Sequence, residues 1–309
     1  MQEISFGQLL ETIRKQQNIS KTNLVRGLCS VSTLSRYEND AFLPDKFLAD
    51  YLLERLGIDP ALIDFVISEK NYKIISLRKN IKNAQLLKDW KMMSSLLEEY
   101  QYIKTNVAAN IHEQYILLNQ SNLLLHRDAD YINAKEICCR ALQLTKCTFA
   151  FSKNLGNTLL SVIEIELYIN LFYIAYKQND QNFFFYIYDL EKYLLKLGKN
   201  NEISAKYLPT IYYYIALIQK QNFELKQCRD CLIKAKEILF TNYSTKYLLE
   251  ILTLQLELES IMHISSDHEI IIMQQMVIAL KMLETKQNNY LLSEEGIQLW
   301  ENTANQILF

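Results

Sequence analysis

The side chains best suited to recognition chemistry in this sequence lie close together within residues 19–39. They are three hydroxyl-bearing residues and one arginine: Ser32, Thr33, Ser35 and Arg36. Small hydroxyl groups let a backbone approach the edges of bases, and an arginine can bind a guanine edge or a phosphate. The segment therefore predicts a contact with double-stranded DNA.

Two short helices would have to position these side chains. Ser20 suits the N-cap of the first helix, in which Leu24, Val25 and Leu28 recur at helical spacing. The second helix is predicted over 31–37 and presents its hydroxyls and arginine to solvent. Two short helices joined by a tight turn form a helix-turn-helix, and the second helix of that motif enters a major groove.

The segment resembles the Cro/repressor-type helix-turn-helix through S-x-x-x-L-x-x-G-x-C-S-x-S-T-L-S-R-x-E-N, which begins at Ser20. The resemblance covers roughly residues 5–66 and implies five short helices. The family often has Gln at Lys21, where an ammonium would bind phosphate instead, and usually has Gly at Asp40. Because Asp tolerates a left-handed backbone, we expect the turn to be kept. The DNA contacts expected from this motif are Lys21, Thr22, Ser30, Ser32, Thr33, Ser35 and Arg36.

The composition favours a helical protein with a large core. The 309 residues include only six glycines and three prolines, too few for a β-rich or loop-rich chain. Hydrophobic residues make up 50% and charged residues 22%, which argues against disorder. No apolar run approaches the ~20 residues needed to span a bilayer. The cysteines are scattered rather than arranged as a disulfide framework, so we predict a reducing, cytoplasmic location.

The charge balance affects how such a protein could hold DNA. The net charge is −2, and over residues 1–58 seven basic side chains face seven acidic ones. A neutral module collects few phosphate contacts by itself. We therefore expect a homodimer that binds two half-sites of a palindromic operator.

A weak repeat begins near Tyr72. Long amphipathic helices alternate with turns, and each turn places an Asp or Asn shortly before an aromatic residue. These aromatic residues are roughly 40 to 50 positions apart: Trp90, Tyr131, Phe183 and Phe223. We predict that the Asp or Asn caps a second helix and that the aromatic residue packs between the paired helices. The spacing predicts stacked helical hairpins, with a fifth pair near 244–262 and 268–284 and a last helix near 291–307.

The segment Y-I-N-A-K-E-I-C-C-R-A-L-Q-L, which starts at Tyr131, resembles the second helix of a tetratricopeptide repeat. With the N-terminal motif, the whole chain resembles the peptide-sensing regulators grouped around PlcR, PrgX and Rgg. This resemblance implies an all-α fold with a helix-turn-helix DNA-binding domain over 1–66. It also implies an α-solenoid of degenerate tetratricopeptide-like helix pairs over 67–309, which would bind a short signalling peptide and form the dimer.

In such a solenoid, the first helix of each pair lines the concave wall. Asparagine side chains can pair with both polar groups of an extended peptide backbone, and an arginine can hold a terminal carboxylate. Counting back from the turns at Trp90 and Tyr131, and including the third pair, gives the peptide contacts implied by the resemblance: Arg78, Lys82, Asn119, Leu123, His126, Arg127, Asn170 and Tyr173.

Two alternatives stay open for the repeat region. It could dock a partner protein without sensing a peptide, or it could only dimerise. A groove lined with unpaired Asn and Arg would favour peptide sensing, whereas a groove filled by the chain's own aromatic residues would favour dimerisation alone.

Other motifs do not indicate catalysis. Cys228 and Cys231 have redox-motif spacing but lie inside a predicted helix without a preceding strand, which favours a structural role. His263 and His268 are not at the i, i+4 spacing of a helical zinc pair. The sequence also contains no glycine-rich phosphate loop or nucleophile elbow. We therefore predict a non-enzymatic protein without metal or cofactor.

Overall fold

The computed structural model describes residues 5–64, 68–103, 108–145, 155, 158–180, 185–198, 201–242, 244–245, 247–262 and 266–287. These residues form fourteen α-helices, one 3-10 helix and one π-helical turn, and they contain no strand. The predicted all-α class is therefore confirmed. The predicted turn at Phe183 and the last helix near 291–307 lie outside the described residues.

Four α-helices open the chain: α1 (Phe6–Gln16), α2 (Lys21–Val25), α3 (Val31–Glu38) and α4 (Lys46–Arg55). Each begins after a residue whose side-chain oxygen accepts a hydrogen bond from a backbone N–H of the first turn: Ser5, Ser20, Ser30 and Asp45. Such caps satisfy N–H groups that have no partner inside the helix. Fully buried leucines form the core among these helices: Leu10, Leu24, Leu34 and Leu52.

The fifth short helix is present but is shorter than the predicted 61–67, of which residues 65–67 lie outside the described residues. The structure has only a 3-10 turn at Pro60–Leu62, and Ile63 is already extended, with φ −123° and ψ 121°. No residue of this turn is buried, and Leu62 is 67% exposed. A short helix gains most of its stability from a buried face, so this segment has little to stabilise further turns.

Ten longer helices follow in consecutive pairs: α5 (Glu69–Leu86) and α6 (Trp90–Ile103), α7 (Ala109–Leu123) and α8 (Tyr131–Thr145), α9 (Val162–Gln178) and α10 (Phe185–Leu197), α11 (Glu202–Gln221) and α12 (Leu225–Thr241), α13 (Leu248–Met262) and α14 (Asp267–Gln287). The predicted fifth pair is confirmed. A π-helical turn, Leu124–Asp128, extends α7 before α8 begins. In the first unit α7 packs against α8, its partner in the pair, and against α9. The first helices of two successive pairs therefore lie side by side.

The predicted caps of the second helices are confirmed at two turns. Asp89 accepts a hydrogen bond from the backbone N–H of Met92 at 3.0 Å, and Asp130 accepts one from Asn133 at 3.1 Å. The prediction for Phe223 is wrong. Its backbone is left-handed (φ 60°), its side chain is 88% exposed, and α12 begins only at Leu225. The turn residue thus lies before the helix instead of packing between helices.

The chain divides into two compact units, residues 1–203 and residues 204–309. The first unit contains α1–α10, and so joins the helix-turn-helix segment to the first three helix pairs. The boundary predicted at 66/67 separates two proposed functions and stays a prediction. None of the helices in the described part of the chain combines the length and the apolar composition that a membrane span requires.

Candidate functional site

The outer face of α3 is open to solvent. Its inner residues Leu34 and Tyr37 are 0% and 7% exposed, whereas Ser32 and Arg36 lie on the exposed face. Asp40 adopts the left-handed backbone that was predicted for the turn after α3, with φ 53°. One face of α3 is therefore packed into the core, and the opposite face is exposed to solvent.

The seven residues predicted to contact DNA all reach the surface. Four of them are exposed: Thr22, Ser30, Ser32 and Arg36. The other three are half-exposed: Lys21, Thr33 and Ser35. The Oγ of Ser30 lies 2.8 Å from the Oγ of Ser32 and 2.7 Å from the Oγ1 of Thr33. Within the described residues Arg36 makes no side-chain hydrogen bond or ion pair, so its guanidinium can bind a partner. Contact with DNA stays a prediction for all seven residues.

Glu38, on the buried face of α3, fixes the position of this helix against α1 and α2. The Nε of Arg14 donates to Glu38 Oε1 at 2.6 Å, and Nη2 of the same arginine donates to Oε2 at 3.2 Å. The Nζ of Lys21 lies 2.9 Å from Glu38 Oε2 and donates to Ser35 Oγ at 3.0 Å. One buried carboxylate thus connects α1, α2 and α3. Charged pairs with this two-point geometry are among the stronger hydrogen bonds in proteins.

Sequence reasoning missed this role of Glu38. The sequence pattern places Glu38 and Asn39 in the motif without a further role, and it predicts Lys21 only as a phosphate ligand. A signal was present, because Glu38 follows Leu34 by one helical turn and so lies on the buried face of α3. In the structure Lys21 is 33% exposed and already paired, which leaves Arg36 as the better candidate for a direct contact.

A second buried charge joins the helix-turn-helix segment to the helix pairs. Arg55 donates from Nη1 to the carbonyl oxygens of Leu24 at 3.0 Å and Arg26 at 2.8 Å, both at the end of α2. Its Nη2 donates to Glu164 Oε1 at 3.0 Å. The same Glu164 oxygen accepts from Thr145 Oγ1 at 2.6 Å. The side chains of Arg55 and Glu164 are only 2% and 0% exposed.

Two further contacts connect the same elements. The Tyr51 hydroxyl donates to Gln114 Oε1 at 2.7 Å, and Gln114 Nε2 donates to Thr145 Oγ1 at 2.8 Å. Gly27 approaches the end of α8 so closely that a Cβ at this position would lie 2.1 Å from the Thr145 carbonyl oxygen. The turn between α2 and α3 therefore rests directly on the helix pairs. These long-range contacts had no signal in the local sequence pattern.

Two asparagines predicted for the peptide groove are already hydrogen-bonded. Asn119 is 4% exposed and donates from Nδ2 to the backbone oxygen of Tyr115 at 2.8 Å. Asn170 is half-exposed and donates to Ser121 Oγ at 3.0 Å and to Asn122 Oδ1 at 2.7 Å. Asn170 connects α9 to α7, so these two first helices share a polar seam.

The basic residues predicted for the groove are also engaged. Arg78 lies 4.4 Å from the ring centre of Phe47 and 4.2 Å from that of Tyr115, and it donates to Tyr100 Oη at 2.9 Å. Arg127 forms a two-point pair with Asp128, at 2.7 and 2.8 Å. Lys82 is exposed and donates to Gln85 Oε1 at 3.2 Å.

The remaining three predicted groove residues lie near the π-helical turn. Leu123 is buried, whereas His126 stacks on Trp90 with ring centres 6.0 Å apart and also lies 5.7 Å from the ring of Tyr173. The Tyr173 ring is 6.5 Å from that of Tyr131. π-Helical turns are rare and are found frequently at functional sites. The structure therefore brings His126 and Tyr173 together, and it places Arg78 in a separate aromatic cage.

These contacts bear on the alternatives for the repeat region. Within the described residues, Asn119, Asn170 and Arg127 are hydrogen-bonded inside the chain, whereas Arg78 donates from Nε to Tyr100 and its buried Nη2 has no hydrogen-bond partner. Aromatic side chains lie against Arg78 and His126. Neither the open, unpaired groove nor the fully filled groove describes this surface. The eight peptide contacts stay predictions.

The cysteine pair Cys228 and Cys231 lies within α12, as predicted, and both residues are buried. Burial raises the pKa of the Cys228 thiol to about 11. This thiol is therefore protonated at neutral pH, and a reactive thiolate is not available.

His126 offers a test of the aromatic cluster. The Trp90 and Tyr173 rings partly desolvate the otherwise exposed His126 imidazole and lower its pKa below its usual value, and the nearby Lys88 ammonium lowers it further. We expect the NMR titration midpoint of His126 to lie below ~6.5. Lys88→Ala should raise the pKa of His126 only in part, because desolvation is the larger cause of its lowering. A midpoint at or above the reference value would contradict the packing of His126 between Trp90 and Tyr173.

No protein-family model matches the sequence, and no curated protein matches it. Among solved structures, PlcR of Bacillus thuringiensis, in complex with the peptide PapR7 and DNA, is similar over 98% of this chain and 100% of its own, at 13% identity and a TM-score of 0.57. The apo form of the competence regulator ComR from Streptococcus vestibularis matches 97% of this chain and 96% of its own, at 16% identity and a TM-score of 0.45. Apo ComR from S. thermophilus matches 92% and 97%, at 16% identity and a TM-score of 0.45. The match to PlcR confirms the expected fold.

Proposed function

We propose that this chain, which has the fold of PlcR, is a DNA-binding transcription regulator controlled by a short signalling peptide. Residues 1–66 would read DNA, and residues 67–309 would bind the peptide and form a homodimer. The dimer would place two copies of α3 on the half-sites of a palindromic operator.

The proposed DNA binding rests on one observation: α3 is fixed on its buried face and exposed on the other. Glu38 holds the helix from its buried face, while Ser32 and Arg36 are exposed on the other. A rigid helix loses little entropy when it enters a groove, and an arginine without a partner keeps its donors for a guanine or a phosphate. This arrangement supports sequence reading by α3.

The buried contacts support control of DNA binding from the helix pairs. Arg55 binds the last carbonyls of α2 with one nitrogen and Glu164 of α9 with another. A ligand that shifts α7 or α9 would therefore act on the position of the helix-turn-helix. Coupling energies of about 1–3 kcal/mol are typical of allosteric proteins.

Support for a peptide comes from the fold and from the surface of α7 and α9. The similar PlcR structure contains both a peptide and DNA. In the present chain, half-exposed Asn170 and Tyr173 share one face of α9, next to the π-helical turn with His126. Their amide, phenol and imidazole groups can bind polar and apolar parts of a peptide.

A second function, regulation by dimerisation without a peptide, is favoured by one specific observation. Asn119, Asn170 and Arg127 already have partners inside the chain. A peptide would have to replace these hydrogen bonds, which reduces the net gain from each new contact.

Calorimetric titration of the full-length protein distinguishes the two functions. The ligands would be C-terminal fragments of small precursor peptides encoded beside its gene. We expect one fragment to bind, and Asn170→Ala and Asn119→Ala to weaken binding by roughly 5- to 30-fold, equivalent to about 1–2 kcal/mol. Asn80→Ala, on the exposed face of α5, is the matched control. If no fragment binds to protein that still binds its operator as a dimer, the peptide-independent function is correct.

A further inference from the structure

Arg78 of α5 is packed among aromatic rings instead of against an acidic side chain. Its guanidinium carbon lies 4.4 Å from the ring centre of Phe47 and 4.2 Å from that of Tyr115. Within the described residues it forms no ion pair, and its buried Nη2 has no hydrogen-bond partner. Aromatic rings attract a cation through their negative faces, but the N–H groups still need acceptors. For the side chain of Arg78, the acceptor in the described part of the chain is the Tyr100 hydroxyl.

The hydrogen bonds at Tyr100 have a defined direction. Arg78 Nε donates to Tyr100 Oη at 2.9 Å, and this oxygen lies 2.7 Å from His112 Nδ1. A guanidinium can only donate, and a phenol has one proton to give. Burial raises the pKa of Tyr100 above its ordinary value, so the phenol keeps that proton at neutral pH. The proton therefore goes to a bare Nδ1, and His112 is neutral with its own proton on Nε2. We call Arg78, Tyr100 and His112 the relay.

The opposite arrangement is unfavourable. If His112 Nδ1 carried a proton, two N–H groups would face one oxygen, and the phenol proton would have no acceptor among the described residues. Tyr100 and His112 are both 0% exposed, so that proton would be buried without a partner. An imidazolium would also add a second positive charge beside Arg78. Hydrogen bonds aligned in one direction, by contrast, strengthen one another.

The relay meets α4 at Phe47. This side chain is 2% exposed and contacts both the Arg78 guanidinium and the His112 ring, whose centre lies 4.8 Å away in an edge-on arrangement. The three relay residues belong to α5, α6 and α7, so helices of two successive pairs meet on one residue of α4. This junction is separate from the Arg55–Glu164 pair, which joins α4 to α9.

We propose that His112 is the positioning residue of this junction. As a neutral acceptor it fixes the direction of the relay, and the relay keeps Arg78 against Phe47, which holds α4 to the first two helix pairs. This role assigns Arg78 to the packing of α4 instead of to the peptide groove.

The same junction borders the face of α7 on which a peptide is proposed to bind. Asn119, one helical turn after Tyr115, donates to the Tyr115 carbonyl oxygen at 2.8 Å, and the Tyr115 ring lies against Arg78. A peptide that moves this part of α7 would therefore move the ring that covers Arg78. This link to regulation rests on the proposed function, whereas the relay itself is tested on the protein alone.

Nitrogen-15 NMR of the full-length protein tests the direction of the relay. The chain has four histidines, and the spectrum of a His112→Asn variant identifies the His112 signals by their loss. Two-bond correlations between ring nitrogens and ring protons distinguish a bare nitrogen from a protonated one. We expect a bare Nδ1 and a protonated Nε2 at neutral pH. A proton on Nδ1 would overturn the proposal.

Two substitutions separate the acceptor from the ring. His112→Asn keeps an acceptor oxygen near the position of Nδ1, whereas His112→Leu removes it. Hydrogen exchange followed by mass spectrometry reports the opening of individual helices. We expect His112→Leu to speed exchange of the α4 amides by about tenfold, equivalent to one lost hydrogen bond, and His112→Asn to restore most of the protection. The α13 amides, in the second unit, are the internal control. Equal exchange in the two variants, or equal acceleration in α13, would contradict a role for the acceptor.

A thermodynamic cycle tests whether Arg78 and His112 act through the Tyr100 hydroxyl. The unfolding equilibrium constant is measured in urea for Arg78→Met, His112→Leu and the double variant. We expect the double variant to lose roughly fivefold less than the product of the two single losses, because the relay is already broken by either change. In a Tyr100→Phe background the single losses should multiply. A discrepancy of the same size without the hydroxyl would show coupling through ring packing alone and would overturn the relay.

Discussion

Replacement of Arg36 by alanine is expected to abolish sequence-specific DNA binding while the protein stays folded. The side chain is exposed and has no partner within the described residues, so its removal leaves the packing of α3 unchanged. An arginine that binds a guanine contributes about 1–3 kcal/mol of discrimination. A dimer that reads two half-sites would lose about twice that amount, which corresponds to roughly 30-fold or more in affinity.

This loss can be measured by fluorescence anisotropy at one fixed salt concentration, because phosphate contacts make affinities salt-dependent. The probe would be a duplex selected by the wild-type protein from a random-sequence pool. Arg140→Ala removes an equal charge from the exposed face of α8 and serves as the control. Unchanged preference of the Arg36→Ala protein for the selected duplex would remove Arg36 from the reading surface.

Replacement of Glu164 by alanine is expected to destabilise the first unit by about 3–5 kcal/mol, because it leaves the Arg55 charge buried without its partner. The loss should be large for three reasons. Both side chains are almost completely buried, Arg55 also holds the end of α2, and Thr145 loses its acceptor.

Urea unfolding followed by circular dichroism measures this change. Glu136→Ala on the exposed face of α8 removes the same charge, and a change within about 0.5 kcal/mol is expected there. Arg55→Met combined with Glu164→Met should cost less than the sum of the two single substitutions, because no lone charge stays buried. A loss below about 1 kcal/mol for Glu164→Ala would show that the Arg55–Glu164 pair does not hold the helix-turn-helix segment to the helix pairs.

Local features were predicted well because they depend on neighbours in the sequence. Ser20 caps α2 through a hydrogen bond to the residue three positions later, as predicted, and Asp40 adopts its left-handed turn through its own conformational preference. Ser30 caps α3 in the same way, although the sequence pattern predicted it only as a DNA contact. The alternation of long amphipathic helices was likewise visible in the spacing of apolar residues. The spacing of apolar residues does not encode exposure, which is why the helix at Pro60–Leu62 was predicted too long and Phe223 was predicted to pack between helices.

The peptide surface shows the limit of such reasoning. A helical pattern identifies the face on which Asn119 or Arg78 lies, but it does not identify what the neighbouring helix places against that face. In the structure Asn119 bonds to its own helix, and Arg78 lies between the rings of Phe47 and Tyr115. Both positions are compatible with the same sequence pattern as an open groove.

The sequence by itself thus determined the helices, their caps and the exposed hydroxyls and arginine of α3, because hydrogen bonds and apolar periodicity within a few residues suffice for these. Only the tertiary structure decided which charges are buried. Arg14, Arg36 and Arg55 are the same residue type. Inside the protein, however, Glu38 neutralises Arg14 and Glu164 neutralises Arg55. A buried charge is tolerated only when an oppositely charged partner lies against it. In this protein the partners are distant in the sequence, so local sequence patterns do not identify them.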